Sequence, residues 1–296
     1  MDNNYLTTLV SYPDRGQWGN NKWRGNFSGK LVEDLINWYH PKRVYDPMCG
    51  SGTTIDVCNT LGVDCMVTDL NPKFGGWDAL TDEVPGSSDF TIFHPPYHDM
   101  IQYSGNVWGE KPDIRDLSRC SSYQEFIQKI NTIQLKLFRA LRKGGRLIIL
   151  VGDYKKQGRL FSIQKDMDWL GTPEQVIIKT QHNAESFRKK YAGKFIPIVH
   201  EYLLVFRRDD CYLLPVSVTK TFDADSREQK NQTWRDVVHA ALEKLGGKAT
   251  LSALYNEVQG HSKCSVNVFW REKVRQVLQI YKDFTNDEKG KWSFSY

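Results

Sequence analysis

Two hydrophobic periods alternate along the chain. Helical spacing marks Leu31-Val32-Glu33-Asp34-Leu35-Ile36-Asn37-Trp38-Tyr39, stopped by Pro41. It returns from Tyr123 to Arg142, where Phe126, Ile130, Ile133, Leu137 and Leu141 recur before Gly144-Gly145 ends the run. Thr53 to Leu61 reads as a further helix, ended at Gly62. Strand-like runs lie between and after these: Arg43-Val44-Tyr45, Asp64 to Thr68, Phe90-Thr91-Ile92-Phe93, Arg146 to Val151, Gln175 to Thr180 and His200 to Phe206. Strands alternating with helices predict an α/β fold, a doubly wound and mainly parallel sheet with helices on both faces. Such sheets bind ligands at the carboxyl ends of their strands, where Asp46, Asp69, His94 and Asp153 fall.

The pattern changes after Arg208. Residues 1–208 form the expected large domain, 209–231 a polar linker, and 232–296 a small domain. In the small domain a helix runs from Thr233 to Leu245 and meets Gly246-Gly247. A second covers Leu251 to Val258, a third about Val268 to Tyr281, and Asp283 to Phe294 suits a two-stranded wing. Three helices and a hairpin outline a winged helix-turn-helix. At the other end, residues 1–30 are rich in Gly, Asn, Trp and Arg and read as an ordered arm that packs on the domain.

Composition narrows the partners. Lys and Arg number 40 against 35 Asp and Glu, a formal charge of +5 that suits a polyanion without demanding one. Nine Trp and 12% aromatic residues argue against disorder. The six cysteines form neither a Cys-x-x-Cys pair nor a His/Cys cluster, so no metal is expected and reduced cytoplasmic thiols are the default. No apolar run approaches the roughly 20 residues that span a bilayer, and the polar start lacks a signal core.

Two segments carry chemistry. The turn Asp46-Pro47-Met48-Cys49-Gly50-Ser51-Gly52-Thr53-Thr54 sits between a strand and a helix, where glycines let backbone approach a ligand. No Lys follows the last Gly and no Gly-x-Gly-x-x-Gly is present, so neither a P-loop nor the dinucleotide fingerprint fits. The acidic residue at the front favours a ligand with cationic groups, such as S-adenosylmethionine. Asp69 is placed for ribose hydroxyls and Asp78 for an adenine amino group, although both also suit strand or turn caps. The second segment is His94-Pro95-Pro96-Tyr97. The Pro95 carbonyl and a side-chain acceptor can hold both hydrogens of a base amine, and the two prolines stiffen that backbone. Tyr97 can stack on a base that has left the duplex.

These two motifs in this order resemble the amino-methylating DNA methyltransferases, the N6-adenine and N4-cytosine class. The likeness covers residues 12–208 and includes Arg24-Gly25-Asn26-Phe27-Ser28-Gly29, which resembles the segment packed over the methionine end of the cofactor, together with Gly145 to Asp153 and His200 to Phe206. The resemblance implies a Rossmann-like S-adenosylmethionine-dependent methyltransferase sheet. It also implies base flipping of double-stranded DNA and DNA methylation at adenine N6 before cytosine N4, as in restriction–modification; with no recognisable nuclease motif, the chain either acts alone or partners a separate restriction endonuclease. An RNA base-amine methyltransferase and a catalytically inert DNA-binding regulator stay open. One departure stands out: the family carries Asp, Asn or Ser before Pro-Pro, whereas this chain has His94. A neutral imidazole can accept an amine hydrogen or a proton, so activity should fall at mildly acidic pH. The C-terminal piece resembles winged-helix modules of restriction–modification proteins, with Trp234, Val274, Leu278 and Trp292 as core. Lys263, Arg271, Lys273, Arg275, Lys289 and Lys291 are candidate phosphate contacts. A second basic stretch, Arg188, Lys189, Lys190 and Lys194, is a candidate for tracking the DNA backbone.

Overall fold

The structure is a computed structural model that describes residues 6–182, 194–221, 225, 232–287 and 290–295. It divides into two compact units, residues 1–220 and 221–296. In chain order the first contains β1 (Leu9–Val10), α1 (Gly29–Tyr39), β2 (Arg43–Asp46), α2 (Thr53–Leu61), β3 (Asp64–Val67), β4 (Ser88–Phe93), α3 (Tyr123–Ala140) and β5 (Leu141–Val151). A hairpin of β6 (Asp153–Lys156) and β7 (Arg159–Ser162) follows, then α4 (Ile163–Asp166), β8 (Trp169–Leu170), β9 (Thr172–Thr180), β10 (His200–Arg207) and β11 (Val216–Ser217).

Seven strands form the main sheet in the order β1-β9-β10-β5-β4-β2-β3. Pairings from β3 through β2 and β4 to β5 are parallel, and β10 runs antiparallel to both β5 and β9. The chain goes from β2 outward to β3, then crosses back to β4 on the other side of β2. The order therefore reverses between β2 and β4, the point where open α/β sheets bind ligands. Asp46 closes β2 and His94 follows β4, so both predicted motifs reach this crevice.

Period-two alternation divides the sheet between two apolar layers. Ile148 and Leu150 of β5 join Val44, Phe90 and Ile92 under α1 and α2, which supply Leu31, Leu35, Ile36, Val57 and Cys58. Leu147, Ile149 and Val151 face the opposite way with Tyr45 and Phe93, under Phe126, Ile130, Ile133 and Leu137 of α3. Glycines set the ends of α2: Gly52 caps it at φ +86° and Gly62 closes it at φ +67°.

The second unit contains α5 (Trp234–Lys244), β12 (Lys248–Thr250), α6 (Leu251–Val258), α7 (Ser262–Val266), α8 (Trp270–Ile280), β13 (Phe284–Asn286) and β14 (Lys291–Phe294). Thr233 and Asp236 form a reciprocal capping box at the start of α5. Val238, Leu242, Leu254, Val274 and Leu278 are its buried centre, with Trp234 and Trp292 packed against them. Its three strands are ordered β12-β14-β13. No described helix is long and apolar enough to cross a membrane.

Candidate active site

The turn after β2 is organised by a carboxylate beneath it. Asp46 is buried, its Oδ2 accepting from the Thr54 hydroxyl at 2.5 Å and its Oδ1 from the Met48 amide at 3.1 Å. Burial pushes its carboxyl up to about 7, against those two hydrogen bonds. Asp46 thus shapes the turn from below and is not among the residues that wall the cleft, and Gly52, Thr53, Thr54 and Arg24 are not among them either. Pro47, Met48, Gly50 and Ser51 do face it.

Asp69, after β3, stands across from the turn. Its Oδ2 accepts from the Gly50 amide at 2.9 Å and its Oδ1 from the Asn71 amide at 2.8 Å. Burial raises its carboxyl despite those amides. Asp78 also lines the cleft, while its Oδ1 accepts from the Leu80 amide at 2.9 Å, so it caps a turn there as well. Trp77, Ala79, Leu80, Leu117 and Ile133 add an apolar wall.

The N-terminal arm closes the cleft from another side. Trp18 donates to the Thr60 hydroxyl and the Gly19 amide to Asp56, both on α2. The Thr53 hydroxyl then donates to Asn26 Oδ1 at 2.7 Å, tying the arm to the turn. Gly25, Asn26, Phe27 and Trp23 all border the opening. Gly25 has φ +77°, and a Cβ there would lie 2.0 Å from the Tyr103 hydroxyl oxygen. Only glycine lets the arm and the loop after His94 meet so closely. Together these walls bound a cleft that is open to solvent.

His94 and Pro96 line the same cleft, whereas Pro95 and Tyr97 are not among its wall residues. The Phe27 ring meets the imidazole edge-on, with centroids 5.3 Å apart. Burial holds His94 down at about 4, so the ring is neutral at physiological pH. Tyr97 is tied down at its hydroxyl. Its hydroxyl donates to Glu201 Oε1 at 2.7 Å and lies 3.2 Å from His94 Nε2. Its ring also lies against Gly152, where a Cβ would come within 2.8 Å. His98 takes a left-handed φ of 48°, bonded through Nδ1 to the Tyr154 hydroxyl and through Nε2 to the Cys120 carbonyl, which pins the loop behind the prolines.

Several of these residues carry no local motif. Glu201 gives the clearest available signal, a carboxylate leading into the apolar run Tyr202 to Phe206. Trp23, Tyr103, Trp108 and Arg115 reach the cleft from loops that show no periodicity. Among the candidate DNA contacts, Arg271, Lys273, Arg275, Lys291 and Lys194 are exposed, and Lys263 is half-buried with its ammonium 6.0 Å from the Trp234 ring centroid. Arg188, Lys189, Lys190 and Lys289 lie outside the described residues. Among the described residues no group of three or more His, Cys, Asp or Glu side chains could hold a metal ion.

No family model and no curated protein matches the sequence. Among solved structures, TrmN from Thermus thermophilus is 18% identical with a TM-score of 0.36, over 62% of this chain and 50% of that one. TTHA0409, a putative DNA modification methylase also from Thermus thermophilus, is 18% identical with a TM-score of 0.29, over 58% and 62%. The N-methyltransferase NodS from Bradyrhizobium japonicum, in complex with S-adenosyl-L-homocysteine, is 11% identical with a TM-score of 0.35, over 62% and 86%. This chain therefore spans half the length of TrmN.

Proposed function

We propose that the protein is an S-adenosylmethionine-dependent methyltransferase acting on the exocyclic amine of a DNA base, adenine N6 before cytosine N4. The observation that carries this reading is a shared cleft. The turn after β2, Asp69 after β3, and His94 and Pro96 after β4 converge where the strand order reverses.

The residues present fit the cofactor. Asp69 already engages two backbone amides, and its remaining lone pairs suit ribose hydroxyls. Trp77, Leu80, Leu117 and Ile133 suit a flat purine, with Asp78 at hand as an acceptor. Gly50, held at φ +50°, leaves backbone rather than side chain facing the ligand. Bound there, S-adenosylmethionine supplies a methyl group activated by a sulfonium.

The chain's own part is to hold and deprotonate the amine. A base amine is a poor nucleophile because its lone pair is delocalised into the ring. Fixing both of its hydrogens on acceptors turns that lone pair out of the ring plane. The Pro95 carbonyl takes no backbone hydrogen bond among the described residues and is one such acceptor; neutral His94 is the other. The second unit, read as a winged helix, supplies the contact to duplex DNA through exposed Arg271, Lys273, Arg275 and Lys291.

Incubation with methyl-labelled S-adenosylmethionine and duplex DNA, single-stranded DNA or tRNA, followed by nucleoside digestion, tests this. Label in N6-methyladenine from duplex DNA is expected, with at least about a 100-fold loss in His94→Ala. Label confined to tRNA would move the substrate to RNA. A folded protein that labels no acceptor would identify an inert binding protein.

A further inference from the structure

His94 is not alone at the cleft. It ends a continuous chain of polar groups that crosses three elements: His94 and Tyr97 on the loop after β4, Glu201 on β10, and Lys179 on β9. Lys179 Nζ donates to Glu201 Oε2 at 2.8 Å, and the two residues are direct cross-strand partners in the β9–β10 register. Their side chains are only 11% and 9% exposed. A buried ion pair costs desolvation that its own attraction barely offsets, so it is weak evidence for stability alone.

The bonding fixes the direction of every proton in the chain. Glu201 is buried, which would raise its carboxyl, but Lys179, His94 and the Tyr97 hydroxyl together hold it below the usual range, so it is a carboxylate that only accepts. Tyr97 has a single hydroxyl proton and gives it to Glu201. The Tyr97 oxygen can then only accept from His94, which puts the imidazole proton on Nε2. Nδ1 is left as the ring's acceptor, and it takes no protein hydrogen bond among the described residues. The charged and titratable groups around this ring are Tyr97, Glu201 and Lys179, with Tyr103 facing Tyr97.

Resting on the methyltransferase reading above, we propose that Tyr97, Glu201 and Lys179 are positioning residues that hold His94 in its Nε2–H tautomer, so that Nδ1 receives the proton of the substrate amine. The step balances. The amine lone pair forms the new N–C bond as the sulfonium's S–C bond breaks and its electron pair stays on sulfur. The methylated nitrogen, now cationic, breaks one N–H bond and keeps that electron pair, and the proton passes to Nδ1. A cationic exocyclic nitrogen is a far stronger acid than an imidazolium, so even a weakly basic His94 accepts. The resulting positive charge faces Glu201 across Tyr97, and the proton leaves to water after the product does. This assigns Tyr97 to orientation of the base acceptor rather than to stacking on the base.

The test uses the full chain labelled with 15N-histidine at neutral pH, with the His94 signal assigned by its loss in His94→Asn. The wild type should show one tautomer, with the proton on Nε2. Tyr97→Phe, which keeps the ring and removes the hydroxyl, should populate both tautomers and lower kcat about tenfold. Its affinity for S-adenosylmethionine, read by calorimetry, should stay within about twofold and shows that the variant is folded. Glu201→Gln should move the tautomer and kcat in the same direction. In the His94→Asn background, which has no tautomer to set, Tyr97→Phe should cost no further kcat. A mixed or Nδ1–H tautomer in the wild type overturns the inference, as does a Tyr97→Phe protein with unchanged tautomer and kcat. A wild type that holds the Nε2–H form yet methylates neither DNA nor RNA removes the methyltransferase reading and the role of Nδ1 with it, while the orienting chain stands.

Discussion

Asp46 lies under its turn, and that position decides what its loss does. Asp46→Ala leaves the Met48 amide and the buried Thr54 hydroxyl without their acceptor. Two such orphaned groups cost about 2–6 kcal/mol together, which urea denaturation should record as a lower midpoint at unchanged slope. An unchanged midpoint would show that the carboxyl does not hold the turn. His94 makes a second prediction, with a defined sign. Its folded value of about 4 lies below the ordinary value of 6.5, so between those limits the unfolded chain binds a proton that the folded chain excludes. Stability therefore falls as pH drops through that window, at up to about 1.4 kcal/mol per unit from this one group. Comparing wild type with His94→Asn at pH 6.5 and 4.5 isolates it from the other histidines, and the variant should lose about 2 kcal/mol less. The catalytic acid limb should likewise lie near pH 4 and not in the mildly acidic range that an unperturbed imidazole implies. An activity profile halved near pH 6.5 would contradict the burial.

Where sequence and local structure agree, the reason is local. The spans of α2 and α6 match their hydrophobic periods because glycines stop the first and a capping threonine, Thr250, starts the second. The hairpin β6–β7 escaped notice because Lys155, Lys156, Gln157, Gly158 and Arg159 show no alternation and are all exposed. β1 is two residues long and exists only through its parallel pairing with β9, far away in sequence. The same limit applied to Tyr97: a tyrosine after two prolines is visible in the sequence, but its acceptor lies 104 positions on. The arm around Gly25 shows how such long-range contacts bear on function. Gly25→Ala would push a methyl into the Tyr103 hydroxyl and strain a left-handed residue. We expect the affinity for S-adenosylmethionine to fall at least tenfold in calorimetry. Adding Tyr103→Phe removes the oxygen at 2.0 Å and leaves the nearest ring carbon at 3.2 Å, so part of the loss should return. No recovery would place the defect in backbone strain alone.

The proposed function assigns methyl transfer to the first unit and DNA contact to the second. A net charge of +5 says little by itself, since clustering of charge matters more than its sum. What matters is where basic side chains are displayed together. On α8 the buried residues Val274, Val277 and Leu278 define the inward face. Helical spacing then puts Arg271 and Arg275 on one flank and Lys273 on the other. Arg271 also lies over the Trp270 and Tyr255 rings, at 5.2 and 5.8 Å, and Arg275 bonds Glu272 at 3.1 Å. Those contacts hold the guanidinium groups out along the helix at modest energetic cost. If this flank meets phosphates, binding is governed by counterion release, and each lost contact lowers the slope of log K against log salt by about 0.9. The pair Arg271→Gln and Arg275→Gln should therefore flatten that slope by nearly 2 on duplex DNA, whatever its sequence. In methylation assays the same protein should show a raised KM for DNA and an unchanged kcat at saturating DNA in low salt, because the cleft in residues 1–220 is untouched. A salt slope equal to that of the wild type would move the DNA contact elsewhere, with exposed Lys194 in the first unit as the next position to substitute.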